Sequence, residues 1–252
     1  MRLSLVSREK FDAILFDLDG VLTDTASLHG AAWKEMFDEY LRRRAAAGGA
    51  EFTPFDPAGD YREHIDGKLR YDGVRSFLAS RGIVLPEGDP SDGPERETVR
   101  GLGNRKNDRV LDLIRTRGVE VFPGSIDWLR QVRRLGFRTA VVSASKNCQT
   151  VLRAAGIEEL FDVRVDGAVA AERQLPGKPA PDTFLEAARE LGAEPRRAVV
   201  VEDAISGVQA GRAGNFGLVI GVDRIGDPDS LRRGGADIVV RDLEELIGET
   251  SA

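Results

Sequence analysis

Two aspartates one residue apart, Asp17 and Asp19, give this chain its strongest indication of chemistry. They follow the apolar segment 13–16, which is typical of a buried strand, and Gly20 marks the turn that ends it. At a strand's carboxyl end such acids point into a crevice, where they repel each other unless a cation or a shared proton intervenes. The pair could be a nucleophile and its acid/base partner held over Mg²⁺, although a solvated turn could have the same sequence.

Three later segments carry groups that phosphoryl transfer from such a pair requires. Their hydroxyl, ammonium, amide and carboxylate groups belong to Ser143, Ser145, Lys146, Asn147, Lys178, Glu202 and Asp203. Lys178 stands in the proline-flanked loop GKPAPD, and alone it could be an ordinary loop lysine. Glu202 and Asp203 follow the apolar run 198–201, and alone they could cap the helix that comes next. The order Asp/Asp, Ser, Lys, Glu/Asp favours one shared site.

This order of motifs resembles that of the haloacid-dehalogenase-like phosphotransferases over residues 11–246. Within that superfamily, the segments DGVLTDTASLHGAAW, RKND, VFPG, SASKN and GKPAPD are most similar to those of the β-phosphoglucomutases. The resemblance implies an α/β fold, in which a Rossmann-like, doubly wound parallel sheet forms the core. It also implies a helical cap domain inserted after the first core strand.

The resemblance further implies a role for each motif residue. Asp17 would be the nucleophile and Asp19 the general acid/base, which protonates the departing sugar oxygen. The implied Mg²⁺ ligands are Asp17, the backbone carbonyl of Asp19, Glu202 and Asp203. Ser143 and Lys178 would bind the transferring phosphoryl group and offset the charge that develops on it.

Thr25 and His29 lie at positions i and i+4, so they share one face of the helix that opens the cap. The resemblance places this segment at the hinge and implies that His29 reaches the substrate when the cap closes. It also implies that Lys106, in RKND, lines the substrate cleft. The alternatives are a structural histidine and, for Lys106 and Asn107, an ordinary charged helix face.

A second phosphate site separates the possible functions, because a mutase needs two such sites and a simple phosphatase needs one. The candidates for gripping a second phosphate are Arg70, Ser145, Lys146 and Asn147. Where the related enzymes have a lysine four residues before that arginine, this chain has Asp66, with Lys68 nearby. Either phosphate attraction is weaker here or the register is shifted by two. The segment 48–60 also has no clear counterpart.

The elements that must position these groups follow from the hydrophobic pattern. Apolar runs and helical patterns alternate after residue 122, which is typical of a parallel sheet covered by helices. The expected strands are 12–16, 138–142, 163–165, 198–201, 217–222 and 238–240. The expected helices are 25–47, 74–80, 110–117, 125–135, 148–155, 181–191, 206–213 and 243–247. We therefore predict a core of residues 1–24 and 119–252, a helical cap of residues 25–118, a proline- and glycine-containing loop at 52–60 and an exposed loop at 86–94.

Composition excludes several other classes. The chain has 252 residues, of which 41% are hydrophobic and 31% charged, and its net charge of −6 argues against a nucleic-acid partner. No apolar stretch approaches the roughly 20 residues of a membrane helix, and the start MRLSLVSREK has no apolar signal core. The single cysteine, Cys148, excludes an internal disulfide and is expected to be structural. We expect a cytoplasmic monomer without a membrane partner.

The expected function is that of a Mg²⁺-dependent phosphoglucomutase acting on a small sugar phosphate. It would interconvert β-D-glucose 1-phosphate and glucose 6-phosphate through a phospho-aspartate on Asp17, with β-glucose 1,6-bisphosphate as intermediate and activator. One alternative is a sugar-phosphate phosphatase that transfers the same phosphoryl group to water. Another is a non-catalytic regulatory domain, which the intact set of acids, Ser143 and Lys178 argues against.

Overall fold

The computed structural model describes residues 5–48, 51–66 and 68–251. The chain divides into two compact units, Met1–Asp24 with Val119–Ala252 and Thr25–Gly118. We call the first the sheet unit and the second the inserted unit. Part of the chain start on which the absence of a signal was predicted, residues 1–4, lies outside the described residues.

The sheet unit is built on a six-stranded parallel sheet with the strand order β4-β3-β2-β5-β6-β7. The strands are β2 Ala13–Phe16, β3 Arg138–Val142, β4 Val163–Val165, β5 Ala198–Glu202, β6 Leu218–Val222 and β7 Ile238–Val240. Every residue of β2, β5 and β6 is buried, which explains their continuous apolar runs. The chain runs outward from β2 to β4 and then returns to β5, so a crevice opens at the carboxyl end of β2.

Helices connect these parallel strands, as the sequence predicts. They are α5 Pro123–Arg134, α6 Cys148–Ala154, α7 Gly167–Glu172, α8 Asp182–Leu191, α9 Ile205–Ala213 and α10 Pro228–Gly234. Short 3₁₀ segments lie at Glu158–Leu160, Pro195–Arg197 and Leu243–Glu249. The α-helix expected at 243–247 is therefore a longer 3₁₀ segment. The fold is the predicted Rossmann-like α/β class.

Two helices and two short strands of the sheet unit lie outside the sequence prediction. The helices α7 and α10 span six and seven residues, too few to show a clear 3.6-residue period. A separate two-stranded parallel sheet joins β1 Val6–Ser7 to β8 Thr250–Ser251. Two-residue strands carry no alternation that a sequence could reveal.

The elements assigned in the described part of the inserted unit are helices joined by loops, and no strand is assigned there. Its helices are α1 Ala26–Ala46, α2 Gly59–His64, α3 Arg70–Ser80 and α4 Val99–Arg117. The loop expected at 52–60 is shorter than predicted, because α2 begins at Gly59. No helix in the ranges 5–48, 51–66 and 68–251 is long and apolar enough to span a membrane.

An aromatic cluster forms the core of the inserted unit. The rings of Trp33 and Phe37 stack 5.3 Å apart, and Phe77 lies 4.1 Å from Phe37 and 5.1 Å from Phe55. Phe55 comes from the segment 48–60, of which residues 49 and 50 are outside the described residues. Its backbone N–H donates to Asp38 at 2.8 Å, so this segment supplies a fixed core residue rather than a loose loop.

The two stretches that leave and re-enter the sheet unit pair with each other. Thr23 and Val121 form an antiparallel bridge. The Asp24 N–H donates to the Glu120 carbonyl at 2.9 Å, and the Phe122 N–H donates to the Leu22 carbonyl at 3.0 Å. We call these paired stretches, Leu22–Asp24 and Glu120–Phe122, the linker ribbon.

Candidate active site

Polar side chains meet where the central strands of the sheet end. Asp17 follows β2, Ser143 follows β3, and Glu202 is the last residue of β5. The N–H of Asp17 donates to the Val201 carbonyl at 2.9 Å, and that of Ser143 donates to Val165 at 3.0 Å. Because these bonds extend the sheet by one residue, they fix where each side chain leaves it.

Lys178 joins two of these strand ends. Its ammonium group donates to Oδ1 of Asp17 and to Oε1 of Glu202, and all three side chains are buried. It also lies 5.0 Å from the centre of the Phe184 ring. A buried lysine between two carboxylates is costly unless each charge has a partner, so Lys178 is not an ordinary loop lysine.

The charges around Lys178 shift its protonation. Burial alone would lower the pKa of Lys178, but Asp17 and Glu202 outweigh burial and raise that pKa, so the ammonium stays charged. Burial raises the pKa of the Asp17 carboxyl, and Glu202 and Asp19 add to the rise, whereas Lys178 opposes it. The site brings three acids, Asp17, Glu202 and Asp203, together with the one ammonium group of Lys178.

Three carboxylates are placed to bind a metal ion. One oxygen each from Asp17, Glu202 and Asp203 lies within 4.8 Å of the others. An all-oxygen, anionic donor set suits a hard cation such as Mg²⁺, so the residues fit the ion that the sequence implies. The predicted fourth ligand, the backbone carbonyl of Asp19, lies in the loop that follows β2.

Two glycines make this cluster possible. Gly20 has φ +81°, and a Cβ on it would lie 1.8 Å from Oδ2 of Asp203. A Cβ on Gly207 in α9 would lie 1.8 Å from Oε1 of Glu202. The second oxygen of Glu202 accepts the Ala204 N–H at 2.9 Å, next to the start of α9. The N-cap of α9 is Ala204, whose side chain makes no cap hydrogen bond, so the interpretation that puts one of the two acids at the N-cap is wrong.

Asp19 lies in a tight loop, from Leu18 to Thr23, that is closed by backbone hydrogen bonds within the loop. The Leu18 carbonyl accepts the N–H of Leu22 at 2.9 Å and that of Thr23 at 3.0 Å. The Gly20 N–H donates to the Thr23 carbonyl at 2.8 Å. Asp19 is half-buried between these anchors, and it is close enough to Asp17 to affect that carboxyl.

The SASKN segment forms the loop after β3. Oγ of Ser143 accepts the Ser145 N–H at 3.1 Å, and Oγ of Ser145 accepts the Asn147 N–H at 3.1 Å. Lys146 is exposed. Cys148, which begins α6, is fully buried, and burial raises the pKa of its thiol. That burial agrees with the expected structural role, because a thiol of raised pKa is a poor nucleophile.

Within the inserted unit, the structure brings His29 and Lys106 together. Both are buried, and Nζ of Lys106 lies 3.0 Å from Nδ1 of His29 and 4.9 Å from the centre of the Trp33 ring. Because an ammonium only donates, this contact places the proton of a neutral His29 ring on Nε2. Thr25, fully buried at the start of α1, accepts the His29 N–H on its carbonyl at 2.8 Å.

Arg70 and Asn107 also meet in the inserted unit. Nη2 of Arg70 donates to Oδ1 of Asn107 at 2.7 Å. The Asp66 N–H donates to the Tyr61 carbonyl at 2.9 Å. Lys68 donates to Oγ of Ser76 at 2.9 Å and to the Glu63 carbonyl at 3.1 Å. Both of these hydrogen bonds keep Lys68 within its own part of the inserted unit. They disfavour a register shift of two, in which Lys68 would take the place of the lysine that the related enzymes have at the position of Asp66.

The sequence analysis missed several residues that shape the site. Gly207 carries no signal, because a glycine within a helical pattern does not show what packs against it. Arg224 is not in any motif, yet it donates to the Gly20 carbonyl at 2.8 Å, directly after Asp19. Arginines that bond backbone carbonyls look like surface arginines in a sequence.

Comparison with known proteins agrees with this geometry. The family model for the haloacid dehalogenase-like hydrolases matches residues 11–215. A curated β-phosphoglucomutase from Mycobacterium bovis is 55% identical and covers 95% of this chain and 92% of its own length. A β-phosphoglucomutase from Bacillus subtilis is 32% identical, covering 93% of this chain and 91% of its own.

A solved structure gives the same result at the level of the fold. The β-phosphoglucomutase of Clostridium difficile superposes with a TM-score of 0.73 at 28% identity, over 94% of this chain and 93% of its own. The identity to curated enzymes over nearly the full length, and the family match over most of the sheet unit, agree on the type of protein. This chain is an enzyme that belongs to the haloacid dehalogenase-like hydrolase family.

Proposed function

We propose that this enzyme is a Mg²⁺-dependent β-phosphoglucomutase, which interconverts β-D-glucose 1-phosphate and glucose 6-phosphate. The observation that carries the proposal is the buried bridge from Lys178 to Asp17 and Glu202 at the carboxyl end of the sheet. It holds a carboxylate nucleophile beside a fixed positive charge, which phosphoryl transfer requires. The two curated relatives named above as β-phosphoglucomutases support the choice of substrate.

In the first half-reaction, a carboxylate oxygen of Asp17 attacks one phosphorus of bound β-glucose 1,6-bisphosphate, so that the departing sugar keeps its other phosphate. The bond between phosphorus and the sugar oxygen breaks, and its electron pair stays on the sugar oxygen. Asp19 gives that oxygen a proton, so the sugar leaves as an alcohol. Lys178 and the Ser143 hydroxyl donate to the phosphoryl oxygens and offset the charge in the transition state.

Asp17, Asp203 and Glu202, with the Asp19 carbonyl, would hold the metal ion. When bound, Mg²⁺ supplies the positive charge that screens the repulsion between the nucleophilic carboxylate and the phosphate. The close grouping of three acids at this cluster, with one ammonium group beside two of them, is the reason to expect such a cation.

In the second half-reaction, the other sugar hydroxyl attacks phospho-Asp17, and Asp19 takes its proton. The product of phosphorylating β-glucose 1-phosphate is β-glucose 1,6-bisphosphate, which must turn around before it returns a phosphoryl group to Asp17. We propose that Arg70, Ser145, Lys146 and Asn147 bind the phosphate that is not transferred. We further propose that Thr25, His29 and Lys106 bind the sugar, and that the unit 25–118 acts as a cap that excludes water.

The direct test is to supply β-glucose 1-phosphate with Mg²⁺ and a trace of the bisphosphate, and to measure glucose 6-phosphate and free phosphate together. We expect glucose 6-phosphate to exceed free phosphate by orders of magnitude, and α-glucose 1-phosphate to serve as the unreactive control. Equal amounts of free phosphate and dephosphorylated sugar would instead establish a phosphatase, in which water attacks phospho-Asp17. No turnover at all would favour a regulatory domain.

The nucleophile and the metal can be tested in the same assay. Asp17→Asn should retain no more than a few per cent of turnover, because an amide cannot form the acyl phosphate. EDTA should silence the wild type and Mg²⁺ should restore it. Asp12→Asn, at the opposite end of β2, is the matched control that should remain active. A fully active Asp17→Asn would remove Asp17 from the nucleophile role.

A further inference from the structure

The guanidinium group of Arg224, in the turn after β6, donates hydrogen bonds in several directions. Its side chain is only 19% exposed. Nε donates to the Gly20 carbonyl at 2.8 Å, and Nη2 lies 3.4 Å from the Val21 carbonyl. Its further acceptors are Oγ of Ser125 at 3.3 Å, the Arg241 carbonyl at 3.1 Å and Oδ2 of Asp242 at 3.0 Å. Together these hydrogen bonds hold the guanidinium of Arg224 in a single orientation.

The same guanidinium also contacts the returning stretch of the chain. Its central carbon lies 3.6 Å from the centre of the Phe122 ring, in the VFPG motif. Phe122 belongs to the linker ribbon, where its N–H donates to the Leu22 carbonyl. Arg224 therefore contacts the returning stretch of the ribbon at Phe122 and also binds Gly20 and Val21, the two residues just before the other stretch.

This position matters because Gly20 and Val21 directly follow Asp19. The loop from Leu18 to Thr23 is closed by its own hydrogen bonds. The Gly20 carbonyl belongs to the peptide between Gly20 and Val21, one residue beyond the peptide that joins Asp19 to Gly20. The bonds of Arg224 to the Gly20 and Val21 carbonyls thus anchor this loop to the turn after β6.

Asp242 in turn fixes Arg224. Its Oδ2 accepts from Nη1 of Arg224, and its Oδ1 accepts the Glu244 N–H at 2.9 Å at the start of the 3₁₀ segment Leu243–Glu249. A lysine could not replace this arrangement, because its single ammonium cannot reach divergent acceptors while lying flat on a ring.

We propose that Arg224 is a positioning residue for the acid/base step of phosphoryl transfer. By holding the Gly20 and Val21 carbonyls, it keeps the Asp19 carboxyl aimed at the sugar oxygen. The inference rests on the proposed role of Asp19. Arg224 does not touch the reacting atoms, so its loss should impair proton transfer to the leaving group and spare the attack by Asp17.

The test compares two phosphoryl donors with the Mg²⁺-loaded enzyme. Acetyl phosphate has a leaving group that needs no proton, whereas a sugar phosphate needs one from Asp19. Arg224→Met keeps an unbranched side chain of similar length and loses all five N–H donors. We expect the kcat of this variant with β-glucose 1-phosphate to fall about 10²-fold, because a displacement of a catalytic group by about 1 Å can cost that factor. Labelling of Asp17 by acetyl phosphate should stay within about threefold of the wild type.

A matched control is available at the other end of the sheet. Arg197 forks onto Asp12 at 2.7 and 3.0 Å and also donates to the Glu9 and Arg8 carbonyls. Arg197→Met should lower thermal stability without separating the two donors. In an Asp19→Ala background, Arg224→Met should cost little more with the sugar phosphate, because both changes remove the same step.

Each of the following results would overturn the inference, and only one of them would also overturn the proposed function. Equal losses with both donors, or full additivity with Asp19→Ala, would overturn the inference while leaving the proposed function intact. A wild type that acetyl phosphate does not label would overturn the proposed function, and the inference with it. If Arg224→Met does not fold, Arg224→Lys serves for the same comparison, with a smaller separation of the two donors expected.

Discussion

Two buried lysines, Lys178 in the sheet unit and Lys106 in the inserted unit, are held in different ways. Lys178 lies between the carboxylates of Asp17 and Glu202. Lys106 contacts the imidazole of His29 and the face of Trp33. Both side chains are 95% removed from solvent, yet the first is held by opposite charge and the second by a ring nitrogen and a π-system.

The difference indicates what each lysine can contribute. Lys178 offsets two anionic side chains, so removing it exposes their repulsion. Lys106 holds an imidazole in a defined tautomer, so its loss affects hydrogen bonding more than charge balance. The comparison separates a lysine that balances buried charge from one that orients a neighbouring ring.

The largest effect is expected from Lys178→Met, with Lys106→Met as its matched partner. Lys178→Met should lower the free energy of unfolding by about 3–5 kcal/mol, since it leaves buried carboxylates without their cation. It should also lower turnover by at least about 10²–10³-fold. Lys106→Met should cost about 1 kcal/mol of stability, the worth of an ordinary hydrogen bond. Urea unfolding in EDTA and the mutase assay measure the two quantities, and equal destabilisation would refute the contrast.

A second prediction concerns which step each cluster serves. Asp19→Ala should slow turnover of a sugar phosphate by about 10²–10⁴, the usual range for a general acid/base. Acetyl phosphate should still label Asp17 in Asp19→Ala and in Lys106→Met. It should not label Asp17 in Lys178→Met. Identical losses with acetyl phosphate and with the sugar phosphate would count against Asp19 as the acid.

A third prediction tests recognition in the inserted unit. Arg70→Ala should cost about 1.5–3 kcal/mol of transition-state binding for the mutase reaction, the worth of a charge-assisted hydrogen bond. Release of phosphate from a small monophosphate should change little, because that substrate has no second phosphate. Asp66→Lys should tighten binding of the bisphosphate. A parallel loss of both activities in Arg70→Ala would show that Arg70 does not grip a second phosphate.

The smallest effect is expected from a charge cluster at the surface. Arg189 and Arg173 hydrogen-bond to Glu186 and lower the pKa of that carboxyl to about 2. Because the folded pKa is depressed, its stabilisation is present above the unfolded pKa of about 4.3 and is lost as pH falls toward 2. Glu186→Gln should cost less than about 1 kcal/mol at pH 7 and less still in high salt. Urea titrations at pH 7 and pH 3 measure it, and a cost that does not shrink at pH 3 would contradict the assignment.

Much of the sheet could be predicted because its strands are buried on both faces. The strands 138–142, 163–165 and 238–240 have the expected bounds, and β5 is one residue longer than expected, since Glu202 continues the ladder. Such strands appear as short apolar runs between turn residues, which is the clearest signal a parallel sheet offers. Segments without that signal, such as α10 and the β1–β8 pair, were missed.

The site was predictable in its residue types but not in its contacts. The strand ends that bring Asp17, Ser143 and Glu202 to one edge follow from the fold class. That Lys178 bridges Asp17 and Glu202, rather than one of them, depends on the path of its loop. The role of Arg224 depends on carbonyl groups, which every residue carries and no sequence pattern distinguishes.

The linker ribbon has a consequence for how this protein could have arisen and could be re-engineered. Since Asp24 and Glu120 are joined by a hydrogen bond of 2.9 Å, the 94 residues of Thr25–Gly118 start and finish at neighbouring points of the sheet unit. In the topology of the sheet unit, the residues Thr25–Gly118 stand where a single hairpin loop would stand. The entropic cost of closing a loop grows only slowly with the length of the loop. A module with adjacent ends can be exchanged for another of different size without disturbing the strands beneath it. The ribbon is thus a natural junction, at which residues 25–118 could be exchanged while the sheet unit is retained.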